Sequence, residues 1–355
     1  MIETHDGFEP LLVKEWDELA DRAAVIPFLH PGWFIAWWRA FGRGRPEILT
    51  VRREGRLRAV APMRRRLGRL TSASNFHTPM FGLLADDPGA AEELAHALMR
   101  RAGHSVTMSL VDDDAMPTHR ALLKTAALWV SYRELERSPY IDIQGSWEAY
   151  EEGLGTKRRR ELRRRRRRLE ELGRLTFEVR RDGQDLERLL DEGFSVEGSG
   201  WKDAQGTAIR AQPETSLFYR EVARWSAQRR WLVLGFLRLD GQPMAFDYCL
   251  EYGGVHYLLK TGYDPAFRKL APASLLRYEM IRRAYRSGLA RYDLLGGDYP
   301  WKLEWTDRSR PRWELRGFPR SPLGSAGLVF YAFAYGGIRP VVVGARRAAS
   351  RVGWR

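Results

Sequence analysis

The chain has 355 residues, 44% of them hydrophobic and 13 of them tryptophan, which is enough apolar surface for two folded domains. This excludes a single small module and a largely disordered chain. The net charge is +14, most of it supplied by arginine, whose planar guanidinium suits phosphates and other oxyanions. Arginine-rich usage is also typical of a genome rich in G and C, so the charge alone does not identify nucleic acid as the partner.

Cysteine and histidine usage argues against a metal protein. Cys249 is the only cysteine, so a disulfide framework and a cysteine-based metal site are excluded. No HExxH or HxxxH pattern is present, and we expect no metal site. The N-terminal stretch MIETHDGFEP lacks the basic and then apolar order of a signal peptide, which predicts a cytoplasmic protein.

The first half of the chain alternates strands and helices. The stretch PEILTVRREGRLRAVAPMRRR predicts two strands joined by a hairpin turn at Glu54-Gly55. A helix, a strand, a helix and a strand follow, near AAEELAHALMRRA, SVTMSLV, THRALLKTAAL and WVSYRELE. This pattern predicts a mixed sheet with helices packed against it.

The second half shows a clearer order of elements. A very basic helix, a strand and two helices precede an antiparallel meander of three strands, whose turns are Asp240-Gly241 and Gly253-Gly254. A long amphipathic helix follows, ends at Gly288 and leads into the short strand ARYDLLGG, which we expect to lie parallel to the strand before the helix.

The long helix begins with the unusual stretch FRKLAPAS. Pro272 and Ser274 are ordinary helix-start residues, so the stretch is consistent with a well-made N-terminus and nothing more. A helix N-terminus beside Arg268 and Lys269 is equally suited to hold phosphate, because its N–H groups and dipole favour anions. Both interpretations remain open at this point.

The order of elements in the second half resembles the GNAT acyltransferase fold, in which the pyrophosphate of coenzyme A rests on the loop before the third helix. That loop normally reads Arg or Gln, two residues, Gly, one residue, and Gly or Ala. The segment from Arg268 to Ala273 has the arginine and small residues at matching positions but contains no glycine.

Three stretches resemble the FemAB-like, double-GNAT group that includes CelD-type (BioF2-like) acetyltransferase-domain proteins: KRRRELRRRRRRLEELG, GYDPAFRKLAPASLL and YDLLGGDYPWKLEW. The resemblance covers roughly Trp33 to Trp305 and implies a tandem GNAT-like α/β fold with mixed sheets. It implies a first domain at residues 1–145, a second domain with the donor site at 146–318, and an amphipathic helical tail at 319–355.

The resemblance also implies the donor and the site. No permanently bound cofactor is expected, and acyl-CoA is the expected co-substrate. The residues expected to hold it are Arg268, Lys269, Leu270, Ala271, Ala273 and Ser274. A tryptophan at the position of Trp201 tends to line the acceptor cleft in this group, so Trp201 and Lys202 are candidates for acceptor binding, with a packing role as the alternative.

Acyl transfer needs a group that removes the acceptor's proton and a group that stabilises the oxyanion. Asp298 and Lys302 follow the Gly-Gly break after the last strand, and we expect Asp298 to be the general base and Lys302 the acceptor anchor or oxyanion stabiliser. The alternative is that they pair as a surface salt bridge. The further candidates for proton handling are Asp264, Tyr263 and Asp293.

The run from Lys157 to Arg168 carries ten basic residues on one predicted helix. Like charges four residues apart destabilise a helix, so an anionic partner is expected, with Arg164 and Arg168 among its contacts. An anionic small molecule or saccharide, an acyl carrier and tRNA are the alternatives, beside a merely solvated face with Leu162 and Leu169 turned inward. The run contains no aromatic residue, which argues against single-stranded nucleic acid.

Asp247 and His256 fall within the meander, and the favoured interpretation is that each is satisfied by a partner inside the sheet. Near the C-terminus, GLVFYAFAYGGIRPVVVGARR is interrupted by Gly336, Arg339 and Pro340. It is therefore interpreted as one or two amphipathic helices that cover the core, with contact to a membrane surface as the alternative.

The sequence thus predicts an acyltransferase that modifies an amine or hydroxyl of an envelope- or polysaccharide-related acceptor. Two alternatives stay open. One is an aminoacyl-tRNA-dependent transferase of the Fem branch, although the chain lacks the long inserted coiled-coil arm of the peptidoglycan-type Fem enzymes. The other is a non-catalytic binding protein of an envelope-synthesis complex.

Overall fold

A computed structural model describes residues 1–181, 183–199 and 208–336. The helices are α1 (Pro10–Ala23), α2 (Pro31–Phe41), α3 (Pro88–Arg101), α4 (Met116–Ala126), α5 (Trp147–Gly153), α6 (Thr156–Glu170), α7 (Leu186–Gly198), α8 (Pro213–Gln228), α9 (Pro272–Arg286), α10 (Pro300–Leu303) and α11 (Pro322–Gly336). The strands are β1 (Ile2–His5), β2 (Glu47–Arg53), β3 (Arg56–Arg66), β4 (Arg69–Ser72), β5 (Leu84–Ala85), β6 (Ser105–Asp112), β7 (Ala127–Asp142), β8 (Leu175–Arg180), β9 (Leu232–Leu239), β10 (Gln242–Tyr252), β11 (Val255–Tyr263), β12 (Arg291–Asp293) and β13 (Ser309–Pro319).

Four hairpin turns set the antiparallel parts of the sheet, and the sequence predicted all but the one at Leu67-Gly68, which joins β3 to β4. Both central residues of each turn are left-handed, with φ between 48° and 84°, which is the geometry that matches the twist of two antiparallel strands. The other three turns lie at Glu54-Gly55, Asp240-Gly241 and Gly253-Gly254. They join β2 to β3, β9 to β10 and β10 to β11, as the sequence predicted.

The strands of the described residues form one mixed sheet in the order β1-β2-β3-β4-β6-β13-β7-β12-β11-β10-β9-β8, with β5 beside β3. The pairs β4–β6 and β11–β12 are parallel, and the crossovers between their strands contain α3 and α9 respectively. The two halves therefore repeat one scheme of meander, helix and parallel strand. The predicted tandem α/β fold with mixed sheets is confirmed.

The two halves of the chain exchange their last strands. Strand β7 of the first half pairs with β12 of the second half through Tyr140–Asp142. Strand β13 of the second half pairs with β6 of the first half and, along its whole length, with β7. The sheet thus runs without interruption across the boundary expected at residue 145, and the sequence did not predict this exchange.

The hydrophobic core also joins the two halves. Trp33 of α2 meets Phe218 of α8 edge to face, with ring centroids 5.1 Å apart, and both side chains are fully buried. Helix α2 lies so close to α8 that a Cβ atom at Gly32 would stand 2.1 Å from the indole of Trp225. Only glycine fits this crossing, so the contact between the halves depends on it.

A second core cluster lies between α9 and the meander. Leu276, Met280 and Ile281 of α9 are fully buried there against strands that include Val233 and Cys249. This cluster holds α9 on one face of the sheet, while α7 and α8 lie against the other. The N-terminus of α9 is thereby fixed at the end of the gap described below.

Helix α11 packs on β13 and β7 with its inner face, where the rings of Phe318 and Tyr331 have centroids 5.6 Å apart. Its outer side chains face solvent: Val329, Phe330 and Phe333 are 69%, 66% and 87% exposed. Over the described part of the chain, no helix combines the length and the apolar character needed to cross a membrane.

Candidate active site

A gap opens between β11 and β12. The two strands pair in parallel only from Val255 opposite Arg291 to Tyr257 opposite Asp293. Beyond this point β12 ends, whereas β11 continues to Tyr263 and stays paired with β10 on its other edge. A wedge-shaped opening therefore lies at the carboxyl ends of the two strands, where α/β folds place their ligands.

The floor of this gap is a buried ionic network around Asp293. The carboxylate is fully buried and accepts hydrogen bonds from Arg310 Nη2 at 2.6 Å, from the Leu295 N–H at 2.9 Å and from Ser138 Oγ at 3.4 Å. Arg310 lies on β13 and Ser138 on β7, so both exchanged strands contribute. With its oxygens engaged in this way, Asp293 anchors the end of β12 rather than presenting a free base.

Lys302 forms one wall of the gap. Its Nζ is buried and donates hydrogen bonds to the carbonyl oxygens of Leu295 and Gly297, the second at 3.0 Å. Leu295 and Gly296 both have left-handed φ, 50° and 55°, in the turn that brings these carbonyls together around the ammonium group. Burial lowers the pKa of Lys302 to about 8, and the nearby carboxylates of Glu136 and Asp293 oppose that shift.

Asp298 lies at the mouth of the same turn and is exposed. The alternative expectation, a surface salt bridge between Asp298 and Lys302, is wrong, because Lys302 is turned inward onto the two carbonyls and forms no ion pair with Asp298. The structure thus brings both predicted catalytic residues to one end of the gap without joining them. Asp298 keeps its oxygens available to a ligand.

Asp264 and Tyr263 lie at the end of β11. Asp264 Oδ1 accepts a hydrogen bond from the Ala266 N–H at 2.9 Å and so caps the 3₁₀ turn at Pro265–Leu270. The carbonyl oxygen of Tyr263 accepts a hydrogen bond from Ser199 Oγ at 3.3 Å, which ties β11 to the end of α7. The geometry of Asp264 is that of a capping residue, which offers a structural explanation for its position.

The predicted phosphate seat stands at the start of α9. Arg268 and Lys269 are exposed at the end of the 3₁₀ turn, whereas Leu270, Ala271, Ala273 and Ser274 are partly exposed. The Ser274 N–H donates to the Ala271 carbonyl at 3.0 Å, and Pro272 has no N–H. The predicted seat therefore offers fewer N–H donors than the expected run from Leu270 to Ser274. In the first turn of α9, the Ala273 N–H is the donor that is left for a ligand.

Ala271 explains how the chain turns here without the usual glycine. Its φ is 45°, a left-handed conformation that costs a residue with a Cβ about 1–2 kcal/mol. We expect Ala271→Gly to raise the free energy of unfolding by about 1 kcal/mol, after the entropy of glycine in the unfolded chain is subtracted. Urea unfolding measures this, and Ala273→Gly inside the helix is the matched control, which should lose about 0.5–1 kcal/mol. Equal losses in the free energy of unfolding in both variants would contradict the assignment of left-handed strain to Ala271.

The basic run forms α6, with Leu162 and Leu169 buried and the arginines largely outward, as predicted. Several of the arginines are paired: Arg166 reaches Glu279 of α9 at 2.8 Å, and Arg158 reaches Glu304 at 2.6 Å. Arg164 makes a 3.6 Å pair with Glu161 and is 54% exposed. No ion pair within the described residues involves Lys157, Arg159, Arg160 or Arg168.

Trp201 and Lys202 lie outside the described residues. Glu197, in the last turn of α7, was not predicted as a site residue. It is buried at the end of α7, and its Oε2 accepts a hydrogen bond from the Ile209 N–H at 2.9 Å. Its backbone packs against β11, where a Cβ at Gly262 would approach the Glu197 Cα to 2.4 Å. The sequence feature that could have indicated Glu197 is its position as an acidic residue on the apolar side of α7.

Lys260 was not predicted as a site residue either. It is the one charged residue between His256 and Tyr263 on β11, and its Nζ lies 5.4 Å from the ring centroid of Tyr219 on α8. Burial raises the pKa of Tyr219 well above its ordinary value, and the Glu197 carboxylate adds to this rise. The face of the gap turned toward α7 and α8 therefore carries polar groups of its own.

Asp247 is satisfied inside the sheet, in agreement with the favoured interpretation, whereas His256 is satisfied only at Nδ1, and its buried Nε2 has no hydrogen-bond partner among the described residues. Arg277 of α9 donates to both oxygens of Asp247, at 2.6 and 2.9 Å, and also to the Tyr292 hydroxyl at 2.5 Å. His256 Nδ1 lies 2.9 Å from Glu251 Oε1, and burial lowers the pKa of this histidine. The pair between Arg277 and Asp247 joins α9 to the meander below the site.

A comparison with protein-family models identifies the second half. Residues 156–303 match the model described as an acetyltransferase (GNAT) domain. In its sequence this part of the chain resembles a GNAT domain. The match begins at α6 and ends at Lys302 and Leu303, so it contains the gap, the start of α9 and the Lys302 turn. The chain is accordingly a transferase enzyme.

Solved structures resemble the chain along nearly its whole length. FemX is 13% identical with a TM-score of 0.59, covering 91% of this chain and 99% of its own. L-PGS from Bacillus licheniformis is 14% identical with a TM-score of 0.57, covering 91% and 96%. The C-terminal domain of a candidate lysylphosphatidylglycerol synthetase from Agrobacterium fabrum is 13% identical with a TM-score of 0.55, covering 90% and 93%. At these identities the likeness concerns the fold. No curated protein matches the sequence significantly.

Proposed function

We propose that the GNAT domain transfers an acyl group from acyl-CoA to an amine or hydroxyl of an envelope- or polysaccharide-related acceptor, as the CelD-type resemblance suggests. The observation that carries this proposal is the gap between β11 and β12 inside the matched domain, with a buried cation on one wall and a helix N-terminus at its end. A thioester fits such a gap because its carbonyl oxygen gains charge during transfer.

The reaction needs no covalent enzyme intermediate. The acceptor nitrogen or oxygen attacks the thioester carbon, the carbon–sulfur bond breaks, and coenzyme A leaves as the thiolate, which takes up a proton to become the thiol. The acceptor's proton passes to a carboxylate, for which exposed Asp298 is the candidate. Cys249 is not suited as a nucleophile, because it is buried and burial raises the pKa of its thiol well above the ordinary value.

The donor's phosphates are assigned to the start of α9. Arg268 and Lys269 supply positive charge, and the Ala273 N–H and the helix dipole supply the remaining attraction. Lys302 lies at the other end of the gap, where its ammonium group can stabilise the oxyanion or anchor an anionic acceptor. This division of roles leaves donor binding and chemistry to different residues.

Calorimetry with acetyl-CoA tests the donor assignment. We expect Arg268→Glu to weaken acetyl-CoA binding by about tenfold or more, because it replaces an attractive charge at the phosphates with a repulsive one. Arg66→Glu is the control, since Arg66 is equally exposed and lies on β3 in the first half. Equal affinities in the wild-type chain and the Arg268 variant would remove the phosphates from this position.

An aminoacyl-tRNA-dependent transferase of the Fem branch is the second candidate. Two observations favour it: the donor seat at α9 has fewer free N–H groups than a glycine-containing loop provides, and α6 carries basic residues that form no ion pair with any other described residue, Arg160 and Arg168 among them. Such cations suit the phosphates of tRNA. Titration with charged tRNA in the same calorimeter separates the candidates, because the acyl-CoA enzyme binds acetyl-CoA and the Fem-type enzyme binds the tRNA.

A further inference from the structure

Helix α11 is seated on the sheet through small residues and one tyrosine. A Cβ at Gly324 would stand 2.0 Å from the Pro319 carbonyl oxygen, and a Cβ at Gly327 would stand 2.8 Å from that of His104. Tyr331 accepts a hydrogen bond from Ser131 Oγ of β7 at 3.2 Å. These close contacts fix the inner face of the helix, and its orientation follows from them.

The outer face is apolar and open. Leu323, Val329, Phe330 and Phe333 lie along one side of the helix, and each is at least 64% exposed. The helix contains no charged residue from Pro322 to Gly336. A helix that is apolar all round is normally buried on every side, so this face requires a partner.

The surrounding sequence points to the charge of that partner. After Glu314 the chain contains seven arginines and no aspartate or glutamate. Arg316, at the base of the helix, lies with its guanidinium 4.6 Å from the ring centroid of Tyr331, and Arg320 binds the Ala127 carbonyl at 3.1 Å. An apolar helix face that is followed in the sequence by five arginines and no acidic residue complements a surface that is apolar inside and negative outside, which is an anionic lipid bilayer.

The seat of the helix on the sheet decides how it would bind. Its contacts with β13 and β7 hold one side of the helix against protein. The geometry is therefore that of a helix that lies in the plane of the interface, with Phe330 and Phe333 among the acyl chains.

We propose that the outer face of α11 docks the enzyme on the surface of an anionic membrane. This goes beyond the acyltransferase proposal and stands independently of it, since it rests on α11 and not on the gap. Docking would bring the enzyme to acceptors that are anchored in, or built at, a lipid surface.

Co-sedimentation of the full chain with vesicles tests the proposal. We expect binding to vesicles of phosphatidylcholine with phosphatidylglycerol, weaker binding to phosphatidylcholine alone, and loss of binding at high salt because the charges are screened. The double variant Phe330→Ser with Phe333→Ser should bind the anionic vesicles about tenfold less or weaker still. Both side chains are exposed, so the substitutions leave the fold intact.

Leu67→Ser with Phe76→Ser is the matched control, because these side chains are 80% and 78% exposed in the first half. It should bind vesicles like the wild-type chain. A wild-type chain that does not bind anionic vesicles overturns the proposal, and sedimentation velocity then shows whether a second copy covers the face instead. Equal binding by the two double variants also overturns it, because the face of α11 would then play no part.

Discussion

Replacing Arg277 by methionine is expected to lower the free energy of unfolding by about 3–5 kcal/mol, the largest stability effect that we predict for a single substitution. Arg277 and Asp247 are both buried and form a bidentate pair between α9 and β10. Methionine fills most of the space but leaves the Asp247 carboxylate without a counter-ion in the core. The loss of the hydrogen bond to the Tyr292 hydroxyl adds to the cost.

Chemical unfolding of a two-by-two set of variants separates the pair from its packing. Asp247→Asn in the Arg277→Met background should recover a large part of the loss, because the unpaired charge is then gone. Arg286→Met is the matched control at the exposed end of the same helix and should change stability by less than about 0.5 kcal/mol. If Arg277→Met cost no more than this control, the ion pair would be irrelevant to the fold.

Lys302→Met is expected to lower turnover by about a hundredfold or more once the substrates are in hand, while the chain stays folded. The reason is that the Lys302 ammonium group is held against the turn at Leu295 and Gly297, at the end of β12 beside the gap. Methionine has a similar length without the charge. Turnover within a few-fold of the wild-type value would move the chemistry elsewhere, with Asp264 and Tyr263 as the next candidates.

The pH profile gives a second readout for the same residue. The pKa of Lys302 is lowered to about 8, so the ammonium form is complete below that pH and is lost as the pH rises through it. If the cation is the active form, activity should fall above about pH 8. Lys302→Arg keeps its charge and should shift this descending limb to higher pH, whereas a descending limb unchanged in Lys302→Arg would assign it to another group.

The parts of the fold that the sequence predicted are those specified locally. The turns at Asp240-Gly241 and Gly253-Gly254 and the helix end at Gly288 depend on residues within a few positions, and all three lie where expected. Strand β13 was not predicted, since SRPRWELRGFP contains two prolines and three arginines, and its neighbours β6 and β7 are distant in the chain. Long-range pairing of this kind leaves no local pattern.

The candidate site likewise has features that the local sequence predicted and features that it did not. The sequence placed Asp298 and Lys302 near the end of the last parallel strand, and the structure places them there. It gave no indication that Lys302 turns inward, because this depends on the left-handed conformation of Leu295, a residue that normally avoids it. The phosphate seat near Ala271 stays a prediction based on the neighbouring residues, and the sequence gave no sign of the lost N–H donors, because these depend on a backbone turn.

Because β7 and β13 are exchanged, the two halves of the chain depend on each other as the subunits of an obligate heterodimer do, although they belong to one polypeptide. Arg310 and Ser138, which hold the floor of the gap, stand on strands whose other neighbours belong to opposite halves. The first half thus acts like a permanent partner subunit that shapes the gap in the second half. Separate expression of either half would leave an unpaired sheet edge prone to aggregation, and thermal melting of the whole chain should occur as one cooperative step.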